Sequence, residues 1–357
     1  MTLKDIAKKA QVSFQAVSMA LNDENTGHLS PKKREEIRRI AAEMNYMPNR
    51  AARSLRTKSS KLIGVIFPGS MDDYFSELMH SMLWAFTNNG YHALFAFSMW
   101  EEDKTVRPLV TRMLAQGVDG LIAYGEPDTF GIPRVPTLFV SHAGCFTIPK
   151  NSDGIVIDIE STALDAVRYL KKLGHRKIGY AGAKSHYRFN AFLESIDRLG
   201  METRPEWLTE GWGIPETGYE AAGKLIAAKE RPSAVVAYND TAAISLVNTL
   251  HESGFTIPGD FSVIGAYNIK NARYAFPPLT TYDMRVEDFG VELVGHILNR
   301  IANPSLPVIH KRIRPPRIDR ESCAEPAQAR NAVLEKISGK VRRNHPPGEG
   351  NGYAAQR

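Results

Sequence analysis

Apolar positions at the start of the chain recur three and four residues apart. Ile6 and Ala10 share one face of a helix expected over 3–10, which Thr2 can cap. Gln11-Val12-Ser13 interrupts the rhythm, and Ser13 suits the N-cap of a second helix over 14–22. The polar stretch 23–29, with Gly27, predicts a loop. Ser30-Pro31 opens a third helix running to about Asn45, with Ile37, Ile40, Ala41 and Met44 on its apolar stripe. Pro48 stops the chain there, and Asn49 can cap a short fourth helix over 50–56. Lys58-Ser59-Ser60-Lys61 is a polar junction and marks the first domain boundary.

Beyond that junction, strand-like apolar runs alternate with amphipathic helical stretches. Strands are expected at 62–67, 91–97, 120–124 and 137–141, with helices near 74–88 and 105–115. The alternation restarts with a strand at 155–157, a helix at 161–172, a strand at 177–181 and a helix at 188–199. It continues with a strand at 234–238, a helix at 241–252 and a strand at 262–266. Repeated strand–helix units imply parallel sheets covered by helices on both faces. Two such blocks of similar size imply an α/β body of two lobes, with a ligand crevice at the C-terminal ends of the strands. Residues 327–357 contain Pro346-Pro347-Gly348 and little apolar content, which predicts a mostly disordered tail. Val333, Ile337 and Val341 would make two helical turns at most, too short for a coiled-coil tetramer seam.

Composition narrows the class. A chain of 357 residues with 43% hydrophobic content can bury the cores of two or three domains. Two cysteines far apart, Cys145 and Cys323, argue against a disulfide framework and fit a reducing cytoplasm. No apolar leader core opens the chain, and no run of about 18 uncharged apolar residues follows, so neither secretion nor a membrane span is expected. The net charge of +6 is uneven. Residues 1–61 carry 13 Lys and Arg against 6 Asp and Glu, whereas residues 62–326 carry 26 against 31. A basic head on a mildly acidic body suits contact with a polyphosphate, although a solvated charged surface has the same composition.

Two short helices joined by a three-residue turn and followed by a third form a helix-turn-helix pattern. Its second helix would enter a major groove by its N-terminal end, exposing Phe14, Gln15, Ser18 and Met19 while Ala16-Val17 and Ala20-Leu21 alternate toward the core. Gln15 can make paired hydrogen bonds to adenine, and Phe14 can touch a thymine methyl. Ser13, His28, Ser30 and Lys33 are placed to hold phosphates, which positions the unit without reading sequence. On the local pattern alone a purely structural three-helix bundle remains open.

Residues 3–60 resemble the headpiece of the LacI/GalR repressor family. The elements that carry the resemblance are Leu3-Lys4-Asp5-Ile6-Ala7, Val12-Ser13, Ala16-Val17-Ser18, Leu21-Asn22, Asn45-Tyr46-Met47-Pro48-Asn49 and Ala52-Arg53-Ser54-Leu55-Arg56. The body is similar to that family as far as about Cys323, through Gly117-Val118-Asp119-Gly120, Leu173-Gly174-His175-Arg176-Lys177, Asn239-Asp240, Pro277-Pro278-Leu279-Thr280-Thr281 and Arg320-Glu321-Ser322. The resemblance implies a helix-turn-helix domain over 1–48, a hinge helix and linker over 49–61, a two-lobed, periplasmic-binding-protein-like ligand-binding and dimerisation domain over 62–326, and the tail. It implies a homodimeric cytoplasmic repressor on a pseudo-palindromic operator in double-stranded DNA, with Asn49, Ala52 and Leu55 in the hinge and Leu55 wedged into a minor-groove step. An activator or a co-repressor-dependent regulator stays open. One departure matters: Met19 stands where the family commonly has arginine, the usual reader of guanine, so the operator should differ there.

For the body, the resemblance implies a small-molecule effector, a sugar or another ring-containing polar metabolite, between the lobes. Tyr74 and Phe75 match ring-packing aromatics, Arg188 the arginine that grips hydroxyls or carboxylates, and Asn239 a polar contact; Asp158 and Ser141 are further candidates. Asp240 reads as a helix cap. Tyr267 stands where a sugar-binding carboxylate often lies, and Trp212 near an aromatic position; both changes disfavour a simple hexose. A satisfied core or surface role is open for each of these.

Enzyme signals are weak. Gly179 to Ser185 ends like a phosphate loop, but Ile178 and Ala183 stand where that motif needs glycine. No Gly-x-Ser-x-Gly or His-Glu-x-x-His occurs, and His80, His92, His175 and His296 are scattered. No catalytic residue, metal or cofactor is expected. A solute-binding protein or an enzyme on the same α/β fold remains the alternative.

Overall fold

A computed structural model of the chain describes residues 2–21, 29–46, 59–69, 72–98, 106–125, 130, 134–142, 147–184 and 187–327. The chain divides into two compact units, Met1–Ser60 and Lys61–Arg357.

The first unit is helical: α1 (Leu3–Ala10), α2 (Phe14–Leu21) and α3 (Pro31–Glu43). Asp5 accepts from the Thr2 amide at 2.8 Å, so the first turn of α1 closes on itself. Gln11 ends α1 in the left-handed region, at φ 51°. Ser13 and Ser30 cap the next two helices, accepting from the Ala16 amide at 3.2 Å and the Lys33 amide at 3.3 Å. Ile6, Ala10, Val17, Ala20, Ile37 and Ile40 meet in one small core. Arg38 adds a polar tie, its Nε donating to the Ala20 carbonyl at 3.2 Å.

The second unit is the two-lobed α/β body. In the first lobe the strands β1 (Leu62–Pro68), β2 (His92–Ser98), β3 (Gly120–Tyr124), β4 (Thr137–His142), β5 (Asp153–Ile157) and β11 (His310–Ile313) form a parallel sheet ordered β11-β5-β4-β3-β1-β2. Helices α4 (Asp73–Asn88) and α5 (Arg107–Ala115) belong to this lobe. In the second lobe β6 (Ile178–Ala181), β7 (Leu208–Thr209), β8 (Ala234–Ala237) and β9 (Ser262–Ile264) form a parallel sheet ordered β7-β6-β8-β9. It is flanked by α6 (Ile159–Lys172), α7 (Tyr187–Leu199), α8 (Pro215–Ala227) and α9 (Asp240–Glu252).

After β9 the chain forms β10 (Thr281–Tyr282), then returns to the first lobe as α10 (Val286–Ala302), which packs on α4. It passes through β11 and comes back as β12 (Arg317–Ile318), antiparallel to β10. The lobes are thus joined by three crossings, at 158, 283–285 and 314–316. Charged pairs hold both ends of the fifth strand, and the one at Asp158 lies at a crossing. The Arg300 guanidinium donates to both Asp153 oxygens, at 2.7 and 2.8 Å, and Arg312 Nε donates to Asp158 Oδ2 at 3.0 Å.

Several elements depart from the sequence reading. The fifth strand begins at Asp153, not at 155, because Arg300 neutralises a carboxylate that apolar patterning rejects. Helices α8 and α10 and strands β7, β10, β11 and β12 were not expected from the pattern. β11 is an edge strand with three exposed residues, so it carries almost no apolar signal. The predicted hinge helix and tail lie outside the described residues.

Candidate functional site

The open end of α2 in the helical unit presents Phe14 and Gln15 to solvent. Val17 and Ala20 turn inward against Ile6 and Ile37. The expectation that Ser18 shares the open face is corrected: Ser18 is 5% exposed. Ser18 stands between Val17 and Ala20, both buried, and its short side chain is covered along with them. Met19 is half-buried at the margin of the open face. The Ser13 and Ser30 hydroxyls cap their helices, and Lys33 Nζ lies 3.0 Å from Glu36. His28, Asn49, Ala52 and Leu55 lie outside the described residues. An exposed glutamine and aromatic at a helix N-terminal end, on a basic unit, suit the edges of bases in a major groove.

The second candidate site sits between the lobes of the body and centres on Arg188, in the first turn of α7 and 6% exposed. Its Nη1 donates to the Tyr238 carbonyl at 2.8 Å and its Nη2 to the Tyr267 hydroxyl at 2.6 Å. The guanidinium carbon lies 4.9 Å from the Tyr238 ring centre and 4.7 Å from that of Tyr267, within cation–π range. Tyr267, on the loop after β9, stacks on Tyr74 of α4 with ring centres 4.3 Å apart and planes 16° apart. Phe75 meets Tyr74 edge-on at 5.1 Å and Tyr124 at 5.8 Å. Strand ends of both sheets place these groups, because a parallel sheet presents its loops on one edge. The arrangement can stack a ring and hold a hydroxyl or an anion on a buried guanidinium.

Some predicted contacts prove to be occupied by the fold. Asp158 caps α6, accepting from the Ser161 amide at 3.1 Å, and binds Arg312 and Arg314 at the lobe crossing. Asn239, not Asp240, is the N-cap of α9, its Oδ1 accepting from the Ala242 amide at 3.0 Å. Asp240 is instead the first residue inside α9, where it binds the Thr281 hydroxyl at 2.5 Å and the Ile269 amide at 2.9 Å. Ser141 is buried at the end of β4, and its Oγ donates to the His142 carbonyl at 3.3 Å. Trp212 is half-exposed, next to Gly213, whose backbone packs on Tyr238 and Asn239.

Sequence reasoning missed four residues of this cleft. Tyr124 ends β3 and Tyr238 directly follows β8, and an aromatic at a strand end was a readable signal. His142 stacks on Tyr187 at 5.2 Å, joining the end of β4 to the start of α7. Asp72 caps α4 through the Phe75 amide at 2.9 Å. Burial raises its carboxyl above the usual aspartate range, against the opposing pull of the Phe75 amide and Arg188.

Residues 2–49 match the bacterial regulatory proteins of the lacI family, and residues 167–323 match the periplasmic binding protein-like domain. The chain is 30% identical to the HTH-type transcriptional repressor PurR of Mannheimia succiniciproducens, over 85% of this chain and 92% of the relative. It is 31% identical to the PurR repressor of Serratia proteamaculans, over 91% of this chain and 97% of the relative. The lac repressor dimer bound to operator and the anti-inducer ONPF shares its fold, with a TM-score of 0.76 at 24% identity over 91% of this chain and 99% of that one. A helix-turn-helix unit with a two-lobed ligand-binding body defines a DNA-binding, effector-responsive transcription regulator. The chain belongs to the LacI family of bacterial regulators, which here means a repressor-type member.

Proposed function

We propose that this chain binds a pseudo-palindromic operator in double-stranded DNA as a homodimer, and that a polar ring-bearing metabolite, a sugar or a related compound, in the inter-lobe cleft sets its affinity. Residues 1–48 read the major groove, chiefly through Gln15, Phe14 and Met19, and residues 49–61 supply the hinge with Leu55 as the wedge. The observation that carries the effector half is the Tyr74–Tyr267–Arg188 cluster, which draws one ring contact from the first lobe and the guanidinium from the second. A ligand held there touches both lobes, so its binding energy differs between lobe arrangements. That difference is what an allosteric effector needs. A changed lobe angle then respaces the two hinge segments of the dimer and orders or releases them on DNA.

The test is selection of genomic fragments on the purified protein at one stated salt concentration, followed by footprinting, because phosphate contacts make affinity steeply salt-dependent. A two-fold symmetric site supports the reading. Low-mass metabolite extract should then shift operator affinity of the wild type, and Arg188→Ala should keep the affinity but lose the shift. Recovery of no preferred sequence, with and without extract, would refute the operator assignment. Loss of operator binding by Arg188→Ala would refute the role given to that residue.

A further inference from the structure

Tyr267 does more than line the cleft: its ring lies in the cleft. It stacks flat on Tyr74 from the opposite lobe, with centres 4.3 Å apart, and its hydroxyl oxygen accepts a hydrogen bond from Arg188 Nη2 at 2.6 Å. Those are the two interactions a ring-bearing polar ligand would make there, a stacked face and a hydroxyl on the guanidinium. The backbone is held in an uncommon conformation to achieve this. Tyr267 has φ 100° and Asn268 φ 55°, in the region that side chains other than glycine avoid. A ring of bonds enforces it. The Tyr267 amide donates to the Tyr282 carbonyl at 2.9 Å, the Ile269 amide to Asp240 at 2.9 Å, and Arg320 Nη2 to Asn268 Oδ1 at 2.5 Å.

Two hydrogen bonds between α4 and the second lobe are exposed ones: Thr241 to Asp73 at 3.3 Å and the Lys270 amide to Glu77 at 3.0 Å. Such contacts contribute little against water. The buried ring stack ties the lobes at this mouth of the cleft, together with the apolar cluster that Tyr74, Phe75 and Leu78 share with Ile269, Ala272 and Leu279, and with the His142–Tyr187 pair.

We propose that Tyr267 is a built-in occupant of the effector cleft, a tethered phenol that holds the lobes together and must swing out before a ligand can stack on Tyr74. The assignment rests on the reading of the cleft as the effector site. Its ligand class follows from the occupant: a flat or flat-faced ring bearing a hydroxyl, presented to Tyr74 and Arg188 together.

The experiment uses the full chain, free p-cresol (the tyrosine side chain as a separate molecule) and toluene, with neither effector nor DNA. A failure here would therefore leave the operator and effector reading standing. Tyr267→Gly removes the ring and suits the backbone angle. It should bind p-cresol once per chain by calorimetry, at least about tenfold more tightly than the wild type does and more tightly than it binds toluene. Small-angle scattering should give a larger radius of gyration for Tyr267→Gly, restored to the wild-type value by p-cresol. Tyr267→Phe, which keeps the ring and loses only the hydroxyl bond, should lie between the two and serves if the glycine variant does not fold. Equal p-cresol binding by the wild type, or an unchanged radius in both variants, would overturn the proposal.

Discussion

Two fully buried titratable groups in the second lobe should pull stability in opposite directions with pH. His175, 1% exposed, is held between Ser233 Oγ at 2.7 Å and the Ala324 carbonyl at 2.9 Å. Burial lowers its pKa from 6.5 to about 4, with the Ala324 carbonyl opposing. Its folded pKa is below the unfolded one, so its contribution is complete above pH 6.5 and is lost as pH falls toward 4. At about 1.4 kcal/mol per unit, that loss is about 3 kcal/mol. Asp240 behaves in the opposite sense. Burial raises it from 3.8 to about 7, although the Thr281 hydroxyl, the Ile269 amide and Arg320 favour the carboxylate. Its folded pKa lies above the unfolded one, so the proton it takes up as pH falls from 7 to 3.8 stabilises the fold, by about 4 kcal/mol in total. The two terms oppose each other between pH 7 and 4.

Single variants separate the two terms. Urea unfolding can be followed by tryptophan fluorescence, since all four tryptophans lie in the body, at 84, 100, 207 and 212. The stability difference between wild type and His175→Asn should shrink by about 3 kcal/mol from pH 7 to pH 4. The difference between wild type and Asp240→Asn should move the other way over the same range. Curves for His175→Asn and wild type that stay parallel across those pH values would refute the buried, neutral histidine.

Packing yields two further expectations. Ile37→Ala in the helical unit opens a cavity in a core of a few side chains and should cost about 2–4 kcal/mol. Operator binding should then fall at 37 °C while the tryptophan-detected unfolding of the body is unchanged; an unaltered gel-shift affinity would count against this. Gly218 of α8 lies against the Ala242 carbonyl and the Leu246 amide of α9, so Gly218→Ala forces two helices apart and should cost about 1–3 kcal/mol. Its urea midpoint should drop, and a midpoint at or above wild type would show that the helix pair can shift.

Much of the architecture was legible because each lobe repeats the same strand–helix unit. The cap residues Thr2, Ser13 and Ser30 and the apolar stripes of α1 to α3 were read directly, since capping and periodicity act over a few residues. Arg188 and the Tyr74–Phe75 pair were legible by resemblance. Asn239 was placed in the cleft by the same resemblance and Asp158 by its position after a strand; the fold also uses both as helix caps, and Asp158 as a lobe tie. α10 could have been read, because Val286, Phe289, Leu293, Val294 and Ile297 keep a helical spacing. β11 could not, because its strand pairing satisfies backbone groups and its side chains stay in water.

What the sequence by itself determined is the repeated strand–helix alternation, the basic helical head and the α/β body, since these follow from short-range spacing and charge. Only the tertiary structure decided that Asp153 would be matched by Arg300, that Ser18 would face inward, and that Tyr267 would lie on Tyr74. Each of those joins residues far apart in the chain or depends on the angle at which one helix meets its neighbours. Such contacts form only when burial of the two lobes and the helical core brings the partners within reach, and no local pattern encodes that distance.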